Sequence, residues 1–153
     1  LACGWPNNKN YKWADTKTLV QYGLDQYGYC NYWEDAMQDQ DIRILEAGKK
    51  RTVKDAPAKD GNLYQDGTVN TFLNIDDQDR EKRILMKKTE AIQVQIEEKQ
   101  EITAPIESGD ILGTVTILLN GETLDEKPIV SGESIQKKNL LWIYRQLWKS
   151  YAL

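Results

Sequence analysis

The stretch Ile111 to Val130, ILGTVTILLNGETLDEKPIV, constrains the fold more than any other part of the chain. Ile111 to Leu119 is a long β-rich run; Asn120-Gly121 follows, and Glu122 to Val130 returns. A two-residue Asn-Gly connection suits a type I′ turn, whose twist matches that of paired strands, so an antiparallel hairpin is expected here. An isolated hairpin is marginal in water and needs further strands beside it. Thr68-Val69-Asn70-Thr71-Phe72-Leu73 and Ile84-Leu85-Met86 are candidates. Ile92-Gln93-Val94-Gln95-Ile96-Glu97 alternates strictly, as a strand with one buried and one wet face does. Short strands with turns between them predict a mainly β chain, built on a small antiparallel β-sandwich at residues 61–133.

Helical patterns flank this region. Asp15 is a candidate N-cap, Leu19, Val20, Gly23, Leu24 and Tyr27 fall at helical spacing, and Gly28 is a candidate stop. Before them, Leu1 to Gly4 reads as the end of a buried strand and Pro6 to Tyr11 as a loop. Residues 31–60 are polar, acidic and weakly periodic, and read as a linker and first strand. Within them Ile42-Arg43-Ile44-Leu45 suggests a short strand and Asp55 to Asn62 a turn. At the far end, residues 134–153 are expected to form an amphipathic helix. Leu140, Leu141, Tyr144, Leu147, Trp148 and Tyr151 make one stripe, with Arg145, Gln146, Lys149 and Ser150 on the other side.

The net charge is −4, yet no acidic residue follows Glu133, and Lys137, Lys138, Arg145 and Lys149 make the tail basic. An acidic body argues against a nucleic-acid partner. The chain has no histidine, which removes Ser-His-Asp and Cys-His catalysis and the commonest metal ligand. Cys3 and Cys30 are too few for a zinc site; they read either as a disulfide or as two small buried thiols. Asp76, Asp77, Asp79 and Glu81 lack the glycine and glutamate spacing of a calcium loop, since Lys82 and Lys88 stand at the sixth and twelfth positions from Asp77. They read as a solvated turn, and no metal or cofactor is expected.

Three stretches together resemble a known family. CGWPNNKNYKWADTKTLVQYG, from Cys3, is similar to the closing strand-loop-helix of the penicillin-binding domain of D-alanyl-D-alanine carboxypeptidases, the low-molecular-weight penicillin-binding proteins. ITAPIESGDILGTVTILLNGETLDEKPIV, from Ile102, resembles their C-terminal β-domain, and the aromatic, basic tail resembles their membrane anchor. The resemblance implies that residues 1–30 are a remnant of the peptidase domain and that the chain is a fragment whose upstream domain is missing. It also implies a parent serine hydrolase that removes the terminal D-alanine of peptidoglycan pentapeptides on the outer face of the cytoplasmic membrane.

The catalytic motifs of that family are Ser-x-x-Lys, Ser-x-Asn and Lys-Thr-Gly. The last two do not occur, and Lys88-Thr89 is followed by Glu90. Ser134-Ile135-Gln136-Lys137 matches the first literally, but with 15 lysines and four serines in the chain one coincidence is unsurprising. No catalytic residue is therefore assigned, and the chain is expected to be inactive alone.

The candidate site is instead the tail. A 15-residue helix is about 22 Å long and the hydrocarbon core about 30 Å thick, so it can lie in an interface but not cross. Leu140, Leu141, Trp142, Tyr144, Leu147, Trp148 and Tyr151 would enter the headgroup boundary, and Lys137, Lys138, Arg145 and Lys149 would attract anionic lipid. The plainer alternative is a helix that packs its stripe on the protein itself. Without a peptidase sheet, the stripe of the first helix is expected to pack on the C-terminal helix, on the β-domain or on a second copy of the chain. A different class of function also stands: a β-sandwich recognition module for a wall polymer or a protein of cell-wall synthesis, which exposed aromatics on the sandwich would favour.

Overall fold

The computed structural model describes residues 9–151. Its strands are β1 (Tyr27–Cys30), β2 (Lys49–Pro57), β3 (Asp66–Leu73), β4 (Ile84–Lys87), β5 (Ile92–Glu98), β6 (Ile111–Leu119) and β7 (Glu122–Ser131). Its helices are α1 (Lys9–Gln26), α2 (Tyr32–Ala36), α3 (Gln40–Ala47), α4 (Asp77–Arg80) and α5 (Leu140–Tyr151). The Asn-Gly hairpin forms as its residues dictate. Asn120 and Gly121 both take positive φ, 54° and 84°, and Leu119 pairs with Glu122. β5 pairs along the outer side of β6, β3 along β7 and β2 along β3, giving an antiparallel five-stranded sheet in the order β2-β3-β7-β6-β5. β1 and β4 form a separate two-stranded antiparallel ribbon. The chain is thus mainly β and antiparallel, with a helix at either end.

Two buried clusters hold the sheet. Val115, Ile117, Ile129 and Leu73 pack with Tyr32, Trp33, Ala36, Ile42 and Leu45, so α2 and α3 close this part of the sheet. Val53, Ala56, Val69 and Leu112 pack with Ile102, Ala104 and Ile106 from the segment between β5 and β6. On β5 the alternation is realised: Ile92, Val94 and Ile96 are half-buried against the first cluster while Gln93, Gln95 and Glu97 are exposed. Gly113 sits where β6 bulges; a Cβ there would lie 2.5 Å from the carbonyl oxygen of Glu97, so only hydrogen fits.

Residues 31–60 differ most from expectation. The first strand expected there is present as β2, but in place of the linker stand α2 and α3, and Trp33 and Ile42 are both 0% exposed. Ile42 to Leu45 is helical, not extended. Asp39 caps α3, its Oδ1 accepting the Asp41 N–H at 2.8 Å, and Gly48 ends it at φ 101°. Ile42 and Leu45, three apart, then share the buried face, while Arg43 and Ile44 are exposed. The caps decided the conformation that the β-branched run obscured.

α1 also departs from expectation. It begins by Lys9, so Asp15 lies inside the helix rather than at its cap, and the loop expected to reach Tyr11 is helical from Lys9 onward. Tyr27 and Gly28 belong to β1, where Gly28 pairs with Met86. Over its 18 residues Tyr11, Trp13, Leu19, Val20, Tyr22 and Leu24 are all exposed and point to several sides, so no single stripe results. α1's main contact is with β1, and neither the C-terminal helix nor the five-stranded sheet covers Leu19, Val20 or Leu24. The expected strand at Leu1 to Gly4 and any pairing through Cys3 lie outside the described residues.

A polar network ties α2 and α4 to the hairpin. Tyr32 Oη and Trp33 Nε1 both donate to Asp125 Oδ2, at 3.1 and 3.0 Å. Burial first, then the Asp125 charge, pushes the Tyr32 phenol up to about 12. Asp79 accepts from Lys127 and from Lys82 at 2.6 Å, and these bonds hold its carboxyl below the usual range. Glu90 is lowered likewise, by the Lys87 N–H and the Asn120 side chain. A carboxyl lowered in the folded state stabilises the fold fully above its unfolded value, and that contribution is lost as pH falls through the folded value. Urea midpoints should therefore lose these two contributions below pH about 4.5, and the loss should be smaller in Asp79→Asn. Equal midpoints at pH 6 and pH 3 would contradict this.

Candidate functional site

The approach to α5 is built residue by residue. After β7, Ile135 pairs with Ile106, their amides and carbonyls exchanging bonds of 2.9 and 2.8 Å. Ser134 Oγ accepts the Ser108 N–H at 2.9 Å. Asn139 then starts the helix: its Oδ1 accepts the Trp142 N–H at 2.8 Å, and its carbonyl accepts the Ile143 N–H at 3.0 Å.

The stripe expected from sequence forms and points away from the protein. Leu140, Leu141, Tyr144, Leu147, Trp148 and Tyr151 are all exposed, from 42% at Leu147 to 85% at Tyr151. Trp142, Ile143 and Gln146, on the opposite side of the helix, are half-buried, and Gln146 abuts Gly61. Tyr144 and Trp148 stack, ring centroids 6.3 Å apart at 28°, and line a shallow hollow with Arg145 and Lys149. α5 has 12 residues, about 18 Å. Among the described residues no helix is long and apolar enough to cross a membrane.

The expected set therefore divides. Six apolar residues share one outward face, with Arg145 and Lys149 beside them, whereas Trp142 turns toward the body. Lys137 pairs with Asp55 at 3.1 Å, and Lys138 bonds the Gln65 carbonyl at 2.8 Å and Asp66 at 3.2 Å. Sequence reasoning grouped these two lysines with the basic flank because their partners lie about 70 to 80 residues away in the chain.

Other chemistry-bearing residues are engaged structurally. Lys137, the lysine of the literal Ser-x-x-Lys, is held by Asp55. In the acidic turn, the Asp79 carboxylate is already bonded to two ammonium groups. Cys30 Sγ donates to Asp35 Oδ2 at 2.9 Å; burial, followed by that bond, raises the thiol to about 11, which keeps it protonated and poorly nucleophilic.

Residues 77–137, from α4 through the Ile135 bridge, match the family model described as penicillin-binding protein 5, C-terminal domain. No curated protein matches the chain. Among solved structures, penicillin-binding protein 5 from Haemophilus influenzae is 14% identical at a TM-score of 0.37, the match covering 81% of this chain and 30% of that one. The D-alanyl-D-alanine carboxypeptidase DacD from Francisella tularensis is 18% identical at a TM-score of 0.39, covering 87% and 29%. The chain thus spans under a third of either structure, and with both scores below 0.5 the assignment rests on the family model. The likeness to penicillin-binding protein 5 C-terminal domains thus extends over residues 77–137 of this chain.

Proposed function

We propose that this chain is the non-catalytic C-terminal part of a serine-type D-Ala-D-Ala carboxypeptidase of peptidoglycan maturation. The β-domain acts as a pedestal, and α5 attaches it peripherally to the outer face of the cytoplasmic membrane. The observation that carries the anchoring role is the outward stripe of α5. Six large apolar side chains face solvent on a helix whose other side packs on the body. A soluble surface seldom leaves such a stripe uncovered, and a headgroup boundary suits its Trp and Tyr rings. The uncovered residues of α1 fit the same reading, their partner being the sheet of the upstream peptidase domain; a second copy of this chain is the other candidate.

A recognition module fits less well. The groove of about 730 Å³ beside Lys99, Glu101, Ile102, Thr103, Pro105 and Leu112 has no aromatic ring to stack on a sugar. Among the described residues, the exposed aromatics lie on α1, β1, α5 and at Tyr64, not on the strands of the five-stranded sheet.

Vesicle sedimentation tests the anchor. The chain should pellet with vesicles of phosphatidylglycerol and phosphatidylcholine, weakly with phosphatidylcholine alone, and its tryptophan emission should shift to the blue on binding. Absence of binding to both compositions with unshifted emission would sink the anchoring role.

A further inference from the structure

We propose that Lys138 is a positioning residue that locks α5 at one angle to the β-domain, so that the domain meets a lipid surface in a single orientation. This rests on α5 being the membrane contact. The lysine lies one residue before the cap Asn139, and its side chain is only 18% exposed. Its backbone N–H donates to the Asp55 carbonyl at 2.7 Å, and its Nζ donates to the Gln65 carbonyl and to Asp66 Oδ1. Asp66 Oδ1 also accepts the Asp55 N–H at 3.2 Å.

Asp55 is the unusual member. It stands at the β2 bulge with φ 60°, a left-handed conformation that aspartate tolerates better than most residues. In that conformation its carbonyl meets Lys138 and its carboxylate meets Lys137 at 3.1 Å. Asp55, Asp66, Lys137 and Lys138 thus form one polar cluster across the bulge, the start of β3 and the root of α5. One step earlier, the Ile135–Ile106 pairing fixes the chain. A tail on a free linker would leave the direction of its helix undefined, whereas here every residue from 134 to 139 except Gln136 has a bond to the body or to the helix cap.

The test compares the unaltered chain with Lys138→Met, Lys138→Arg and Asp66→Asn. Hydrogen exchange in solution should quicken on the order of tenfold across residues 138–143 in Lys138→Met, the equilibrium worth of one charge-assisted hydrogen bond, and less in Lys138→Arg. On a supported bilayer containing phosphatidylglycerol, Lys138→Met should still bind, losing no more than about fivefold in affinity for the one cation removed, because the stripe is untouched. Its protein layer by neutron reflectometry should broaden, whereas the unaltered chain gives one defined thickness. Unchanged exchange overturns the lock. Equal binding with an unchanged layer overturns the orienting role and leaves the anchor standing. Failure of the unaltered chain to bind overturns the anchor and the orienting role with it.

Discussion

Trp33→Ala is expected to lower the unfolding free energy by about 3–5 kcal/mol, a large share of the roughly 5–15 kcal/mol of an ordinary domain. Trp33 is completely buried among Leu45, Val115, Ile117 and their neighbours, and its Nε1 donates to Asp125. Truncation leaves a cavity and takes a partner from a carboxylate that lies largely out of water. Circular dichroism should show the urea midpoint falling by more than about 1 M. An unchanged midpoint would mean that α2 is an appendage and not part of the folding unit. The result matters because the family-matched segment, 77–137, excludes β2, β3, α2 and α3, yet β3 pairs with β7 and both helices close the first core cluster. The unit that folds is larger than the segment recognised by family.

The double replacement of Leu141 and Trp148 by aspartate should abolish lipid binding while sparing the fold. Both side chains are exposed, so the protein in solution should keep its urea midpoint. Each apolar side chain half-buried at a headgroup boundary contributes about 0.8–1.5 kcal/mol, and each new negative charge near anionic lipid costs on the order of 1 kcal/mol. Partition into phosphatidylglycerol vesicles should drop at least about 100-fold, read by sedimentation. Arg145→Gln with Lys149→Gln should instead weaken binding only on anionic vesicles and remove its salt dependence. If the aspartate variant binds as well as the unaltered chain, the stripe is not the contact surface.

What was legible in the chain was local. Asn120-Gly121 specified its own turn, because few residue pairs place two consecutive φ angles in the positive region without strain. The alternation from Ile92 to Glu97 specified a two-faced strand, and the spacing from Leu140 to Tyr151 specified a helix with one apolar stripe. These patterns are periodic, and period is a property of sequence alone. The stretch 31–47 failed for the opposite reason. Its helices are 5 and 8 residues long, too short to display a period, and the signs that define them are single caps, Asn31, Asp39 and Gly48.

Whether an apolar stripe is a core or a contact surface is a matter of what lies opposite it, and only tertiary structure supplies that. The pattern Leu140 to Tyr151 was compatible with a helix buried against its own sheet and with one facing out. The side that docks instead is Trp142, Ile143 and Gln146, and the direction is set by Asp55 and Asp66 gripping Lys138 from far along the chain. By itself the sequence determined the hairpin, the alternating strand and the amphipathic helix, since each follows from neighbours within one or two turns. The tertiary structure decided that the supposed linker is core and that the stripe of α5 faces solvent. Both depend on packing and charge pairing between residues that meet only after the chain has folded.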